Sequence, residues 1–404
     1  MKTQFKKLIT LMLVFSMVAV FMAGCSSGKK QETSQPAGQG QKEDVQMLKI
    51  VHLVPLTGGS AADGLHIADA AKMAVEEINN AGGFTGPNGE KIMIDYQQID
   101  ETSSSASAIE ATKKAVSLQP HVILGPNRSG SILAAHQIWQ DAKIPAITDG
   151  TNAQTTKQGN PYTFRMQISS EYWIPILVKT AVEQYNVKKP AILYGLNDYS
   201  KANYEATEPA LEQYGLKAVT VQTFNDGDQD FSAQLIAIKN AGADAIFVYA
   251  YPAEAGRIYA QRVELGMGDI KIFTERASTN PATVQLAGVE NYEGVVTSTT
   301  LSPGDPDPKV QEFIKKYEQK FAREISATHV NHYDSVYIVK SIVEKVGLDR
   351  EKIREELTKL DNFEGALGVY SCDKEGNLVH HMYAQVFKDG KWELLMKETY
   401  PVEK

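Results

Sequence analysis

The chain has 404 residues, with 41 Lys and Arg against 49 Asp and Glu, a net charge of −8. That length suggests two or three compact units, and 43% hydrophobic with 22% charged residues is a globular composition. The acid excess argues against nucleic-acid binding, which needs a basic footprint. Two cysteines, Cys25 and Cys372, allow neither a disulfide framework nor a cysteine-rich zinc site.

Residues 1–25 read as an export signal. Lys2, Lys6 and Lys7 form a positive start, and Leu8 to Ala23 is uncharged and almost wholly apolar. The run ends in Phe-Met-Ala-Gly-Cys, which resembles a bacterial lipobox with Cys25 as the acylated residue, although Met22 stands where Leu or Val is usual. The alternative is a plain signal peptide cut elsewhere. Removing residues 1–25 takes away three lysines and carries the net charge from −8 to −11. That is unfavourable for lying flat on anionic lipid. Residues 26–45 are low in apolar side chains and read as a flexible tether, reaching on the order of 25 Å. The expected location is extracytoplasmic, anchored to the cell membrane through Cys25.

From Met47 onward strands and helices alternate. Leu48–Val54 is a strand, and Ile67, Ala70, Ala71, Ala74, Val75 and Ile78 mark a helix closed by Gly82-Gly83. Strands are expected at 92–96, 121–124 and 144–147, with helices over 103–118 and 131–141 between them. A second series follows: helix 173–185, strand 191–194, helix 204–214, strand 218–224, helix 231–241, strand 245–249, helix 253–265, strand 270–273. Such spacing implies right-handed crossovers and parallel sheets, hence two doubly wound α/β lobes. Residues 308–360 are largely helical. Residues 366–396 return to strand character, with turn signals at Gly376-Asn377 and Asp389-Gly390.

Several stretches resemble the branched-chain amino-acid family of ABC-transporter solute-binding proteins, which has the type I periplasmic-binding-protein fold. They are Val54-Pro55-Leu56-Thr57-Gly58, Ala74 through Gly83 (Ala-Val-Glu-Glu-Ile-Asn-Asn-Ala-Gly-Gly), Ile123-Leu124-Gly125-Pro126, Ile144-Pro145-Ala146-Ile147, Asp198-Tyr199 and Asp230-Phe231-Ser232. The resemblance runs from about residue 47 to the C-terminus. It implies two Rossmann-like lobes joined by a three-segment hinge, with 46–165 and 299–365 in lobe 1 and 166–298 and 366–404 in lobe 2. It also implies a ligand in the cleft at the carboxyl ends of the strands, where open α/β sheets in general bind theirs.

The resemblance carries site residues with it. Ser129, in the strand-to-helix segment Gly125–Ser131, aligns with a serine that bonds the ligand carboxylate, and free N–H groups at a helix start suit an anion. Read locally, Ser129 or Ser131 is only a helix cap. Gly150, Thr151 and Asn152 fall in the loop that grips the α-carboxylate and ammonium, with the donor open between Thr151 and Asn152. Glu275 aligns with the glutamate that pairs with the ammonium, although Glu275-Arg276 alone reads as a solvated surface pair. Tyr199 aligns with a wall tyrosine, and Tyr249 and Tyr251 are candidates for a second wall. Asp63 stands where the family often has an aromatic. It either caps the helix that follows, or faces the cleft and argues for a polar or cationic ligand side chain over Leu, Ile or Val. Asp100 and Arg128 occupy positions that some members join by a disulfide, and an ion pair between them is expected.

Other signals fall short. His329-x-x-His332 reads as surface, and His380-His381 in a strand point to opposite faces. No Gly-x-Ser-x-Gly or P-loop occurs, and Cys372 is expected to be buried. The function implied is capture of an amino acid and its delivery to an ABC permease by a monomer, with no catalytic residues, metal or cofactor. The alternatives are a sensor-type binding protein for an amide or aromatic acid and, from another class, an exported hydrolase.

Overall fold

The computed structural model describes residues 45–326 and 330–404. The export signal, Cys25, the tether up to residue 44 and His329 lie outside the described residues. Among the described residues no helix is long and apolar enough to cross a membrane.

The first sheet contains β1 (Val45–Val54), β2 (Phe84–Thr85), β3 (Lys91–Asp100), β4 (Val122–Leu124), β5 (Ala146–Thr148) and β6 (Thr163–Arg165), in the order β2-β3-β1-β4-β5-β6. All its pairings are parallel except β2 with β3, and β1 pairs β3 over ten residues from Val45↔Lys91 to Val54↔Asp100. The second sheet holds β7 (Pro190–Gly195), β8 (Thr220–Phe224), β9 (Ala245–Tyr249), β10 (Lys271–Glu275) and β11 (Val296–Thr299). Two short strands, β12 (Phe363–Glu364) and β13 (Val369–Tyr370), pair with each other. The hairpin of β14 (His381–Lys388) and β15 (Lys391–Thr399) then completes the order β15-β14-β11-β10-β9-β7-β8. Asp389 and Gly390 turn that hairpin with φ of 50° and 75°, as a two-residue loop requires.

Period-two alternation explains why both sheets are covered on two faces. Leu48, Ile50, Ile94 and Leu124 pack with Ala74, Ile78, Val336 and Ile342, while Val51, Leu53 and Ile123 pack with Ala111, Ala135 and Trp139. In the second sheet Leu193, Ile246 and Val248 meet Leu235, Ile238 and Ile258, while Ile192, Phe247 and Phe273 meet Leu177, Val178 and Leu211. These are the two doubly wound lobes the alternation predicted.

Core membership places three crossings between the lobes. Met166, Leu301 and Val379 belong to the first lobe's core, while Ile168, Val296 and Met382 belong to the second's. The first two crossings lie between Met166 and Ile168 and between Val296 and Leu301. The third lies at about residue 380 rather than 366, because Leu367, Tyr370, Cys372 and Leu378 are buried in the first lobe. Their strand character belongs to a small turn, Tyr370 bridging Val379, that lays Asn377 beside Arg165.

The helix expected from Tyr204 starts earlier, at Asp198, with the Asn197 side chain accepting from the Ser200 N–H. Its polar first turns hid that start from an apolar-periodicity reading, and Tyr199 sits in the first turn of the helix. His332 is fully buried rather than on the surface, with its Nε2 3.0 Å from Asp149 Oδ2 and its ring against His52 at 4.9 Å.

Arg165, wholly buried at the end of β6, ties the two halves of the first lobe together. Its guanidinium donates to Asn377 Oδ1 at 2.7 Å, Thr156 Oγ1 at 2.9 Å and the Asn152 carbonyl at 3.0 Å. Burial lowers its pKa to about 10, against the opposing pull of Asp373 and Glu375, so it stays charged at neutral pH. Arg165→Met strips three acceptors of their donor and is expected to cost about 3 kcal/mol of stability. A denaturation midpoint equal to the wild type's would contradict this role.

Candidate functional site

The loops that leave the carboxyl ends of β4, β5, β7, β9 and β10 converge between the lobes. Asp63, Asn127, Arg128 and Ser129 from the first lobe face Tyr199, Tyr251, Glu275, Arg276 and Ala277 from the second. The space between them is a cavity of about 10 Å³, on the order of one water molecule.

Ser129 is the first residue of the helix Ser129–Asp141. Arg128 holds the cap position and its side chain makes no capping bond, so the helix-cap reading of Ser129 does not hold. Ser129 Oγ instead accepts from the Asn152 N–H at 3.3 Å. Glu101, buried beneath this loop, accepts the Asn127 N–H at 2.8 Å and so fixes the approach to the helix.

Gly150, Thr151 and Asn152 flank the cavity without lining it. A side chain at Gly150 would meet Ile132 Cδ1 at 2.5 Å and the Ser129 backbone at 3.2 Å, so glycine lets this loop lie against the helix start. The Thr151 hydroxyl is buried with no hydrogen-bond partner. The Asn152 side chain crosses to the second lobe and donates to the Asp198 carbonyl at 3.1 Å.

Arg128 does not pair with Asp100. Asp100 takes the N–H groups of Leu56 at 2.9 Å and Thr102 at 2.8 Å and the Thr57 hydroxyl at 2.6 Å, closing its own loop. Arg128 reaches across the cleft to Asp226 Oδ2 at 2.9 Å. Its guanidinium carbon lies 4.3 Å from the centre of the Tyr251 ring, a cation–π arrangement, and it also donates to the Ser103 carbonyl. Asp226 follows β8 in Asn225-Asp226-Gly227-Asp228, a sequence that reads as an ordinary turn, so nothing local marked it.

Tyr199 and Tyr251 stack with ring centres 5.2 Å apart, forming one wall, and the buried Tyr199 hydroxyl has no hydrogen-bond partner. Tyr249 is not a wall. It is fully buried in the second lobe's core, with its hydroxyl on Thr207.

Glu275 is 1% exposed. One oxygen accepts the Ala277 N–H at 2.9 Å, and the other makes no hydrogen bond, with Arg276 Nε 3.6 Å away. Burial raises its pKa from 4.5 to about 8, against the pull of Arg276 and the Ala277 N–H. Arg276 is buried rather than solvated, and its guanidinium spans the cleft to the Asp149 carbonyl at 3.4 Å. Asp63, which is 3% exposed, does not cap its helix. Its Oδ1 accepts from Asn280 of the opposite lobe at 2.7 Å. Burial raises the Asp63 pKa to about 6, opposed by Asn280 and Arg276.

The site is thus a cleft at the strand ends of two doubly wound lobes between which the chain crosses three times. A family model described as periplasmic binding protein matches residues 47–391. The chain belongs to that family. A leucine-, isoleucine-, valine-, threonine- and alanine-binding protein of Pseudomonas aeruginosa is 26% identical over 333 residues, 82% of this chain and 87% of that one. A branched-chain amino acid transporter substrate-binding protein of Streptococcus pneumoniae, solved with isoleucine, has a TM-score of 0.79 at 29% identity over 87% of this chain and 100% of that one. An ABC-transporter solute-binding protein of R. palustris, solved with benzoate, has a TM-score of 0.78 at 19% identity over 89% and 98% of the two chains, a likeness of fold alone.

The Arg128–Asp226 pair joins the two lobes across the cleft of this binding protein. Asp226 is 43% exposed, so solvent screens the pair and its worth is at most about 1 kcal/mol. Asp226→Asn is expected to raise the open fraction of the ligand-free protein, read as a larger radius of gyration in small-angle scattering. An unchanged radius would mean that the pair does not hold the lobes together.

Proposed function

We propose that this protein is an extracytoplasmic solute-binding lipoprotein. In this reading it captures an amino acid by closing its two lobes and presents the closed form to an ABC importer. The observation that carries the reading is the buried Glu275 oxygen without a hydrogen bond, beside the cavity and across from the first turn of the helix Ser129–Asp141. A ligand ammonium completes the carboxylate with a charge-assisted bond, and a ligand carboxylate meets the helix N–H groups and the Ser129 hydroxyl. The unpartnered hydroxyls of Tyr199 and Thr151 supply two more polar positions at or beside the cavity.

The amino-acid-binding relatives support the class of ligand. Export through residues 1–25 and acylation of Cys25 supply the anchor, and the tether lets the lobes turn toward the permease. No bond is broken in this cycle. The protein's task is a population shift between open and closed forms, driven by the ligand's preference for the closed one. The stacked Tyr199 and Tyr251 favour a second reading, an aromatic-acid binder, so benzoate belongs in the ligand panel beside the amino acids.

Calorimetric titration tests the reading. One-site saturable binding of an amino acid without turnover is expected, and Glu275→Gln should weaken it by about 2–5 kcal/mol. Unchanged affinity would show that no ammonium sits on Glu275.

The pH dependence has a fixed sign. Between about pH 4.5 and 8 the folded, ligand-free protein holds a Glu275 proton that the unfolded chain lacks, so this contribution to stability falls as pH rises through that window. An ammonium favours the ionised carboxylate, so binding at pH 7 should expel a proton and affinity should rise toward pH 8. Identical binding enthalpies in buffers of different ionisation enthalpy would contradict this.

A further inference from the structure

The cavity holds an acid and a base that a grip on α-amino and α-carboxylate groups does not use. Asp63 comes from the first lobe and Arg276 from the second, and both are buried at the cavity. Asp63 is held by Asn280 at 2.7 Å, and Arg276 lies between Glu275 at 3.6 Å and the Asp149 carbonyl at 3.4 Å. Both therefore line the cavity only when the lobes are together.

Counting charge narrows what that side chain is. Arg128 is balanced by Asp226, which leaves Asp63 and Glu275 against Arg276. A ligand ammonium balances Glu275, a ligand α-carboxylate meets the positive end of the helix Ser129–Asp141, and Asp63 and Arg276 then offset each other. A second ligand carboxylate or ammonium adds an unpaired charge to a dry site, which is costly. An alkyl side chain offers a hydrogen bond to neither group. A neutral side chain carrying both a donor and an acceptor offers Asp63 the one and Arg276 the other, with no net charge.

We propose that Asp63 and Arg276 are the specificity-determining residues of the cleft, and that the ligand is a net-neutral amino acid with an amide or hydroxyl side chain. This rests on the amino-acid reading above and narrows it.

The test is a titration of the purified protein with glutamine, asparagine, serine, leucine, valine, glutamate, lysine and benzoate. At least one of the first three should bind roughly 100-fold more tightly than leucine or valine, because a site built for hydrogen bonds rejects a ligand that lacks them. Arg276→Gly removes the guanidinium and should narrow that ratio severalfold or more. Arg276→Gln and Asp63→Asn, with melting curves to confirm folding, keep the test open if the glycine variant does not fold. Leucine or valine binding best, or a ratio unchanged in every folded variant, would overturn the side-chain assignment and leave amino-acid capture standing. Binding of benzoate and no amino acid would overturn both.

Discussion

A carboxylate taken out of water and only half satisfied is the constraint around which this cleft is arranged. Glu275 ends a central strand of the second lobe, beside the five buried residues of β9, and is 1% exposed. Its burial carries a desolvation cost that Arg276 at 3.6 Å offsets in part. The second oxygen thus has the Arg276 cation at 3.6 Å but no hydrogen bond, which leaves the site tense. A protein that binds and releases a zwitterion gains from such tension, because the ligand's favourable contact is made only in the closed form.

Three guanidinium groups set the rest of the geometry, each differently. Arg165 works from behind, pinning the carbonyl of Asn152 and the turn at Asn377, so that the loop after β5 keeps its place. Arg128 works at the rim, facing Tyr251 and pairing with Asp226 across the lobes. Arg276 works inside, where its charge moderates both Glu275 and Asp63. Arginine suits all three because its planar fork satisfies several acceptors at once and stays charged when buried. The chain crosses between the lobes at about 167, 300 and 380, and each lobe keeps its own core.

The order of strands and helices was legible in the sequence because it depends on local periodicity, and the apolar positions of the helix Ala61–Asn80 and of β9 are buried as read. The strand-end placement of Ser129, Glu275 and Tyr251 was legible too, since strand ends carry the loops that form clefts. What escaped depends on contacts between lobes. Arg128 and Asp226 are 98 positions apart and meet only across the cleft. Asp63 and Asn280 are 217 apart. Arg276 looked like half of a surface pair because local sequence does not reveal that the opposite lobe covers it. The third crossing was misplaced because residues 366–379 have strand character without joining the second sheet.

The most direct test of the account is the chemistry of whatever the protein carries when purified. Native mass spectrometry of the intact protein gives the mass of a bound small molecule, and denaturation releases it for identification. The account predicts one molecule per chain bearing a primary amine and a carboxylate, the amine being the group that completes Glu275. A stoichiometric ligand with no amine would contradict it.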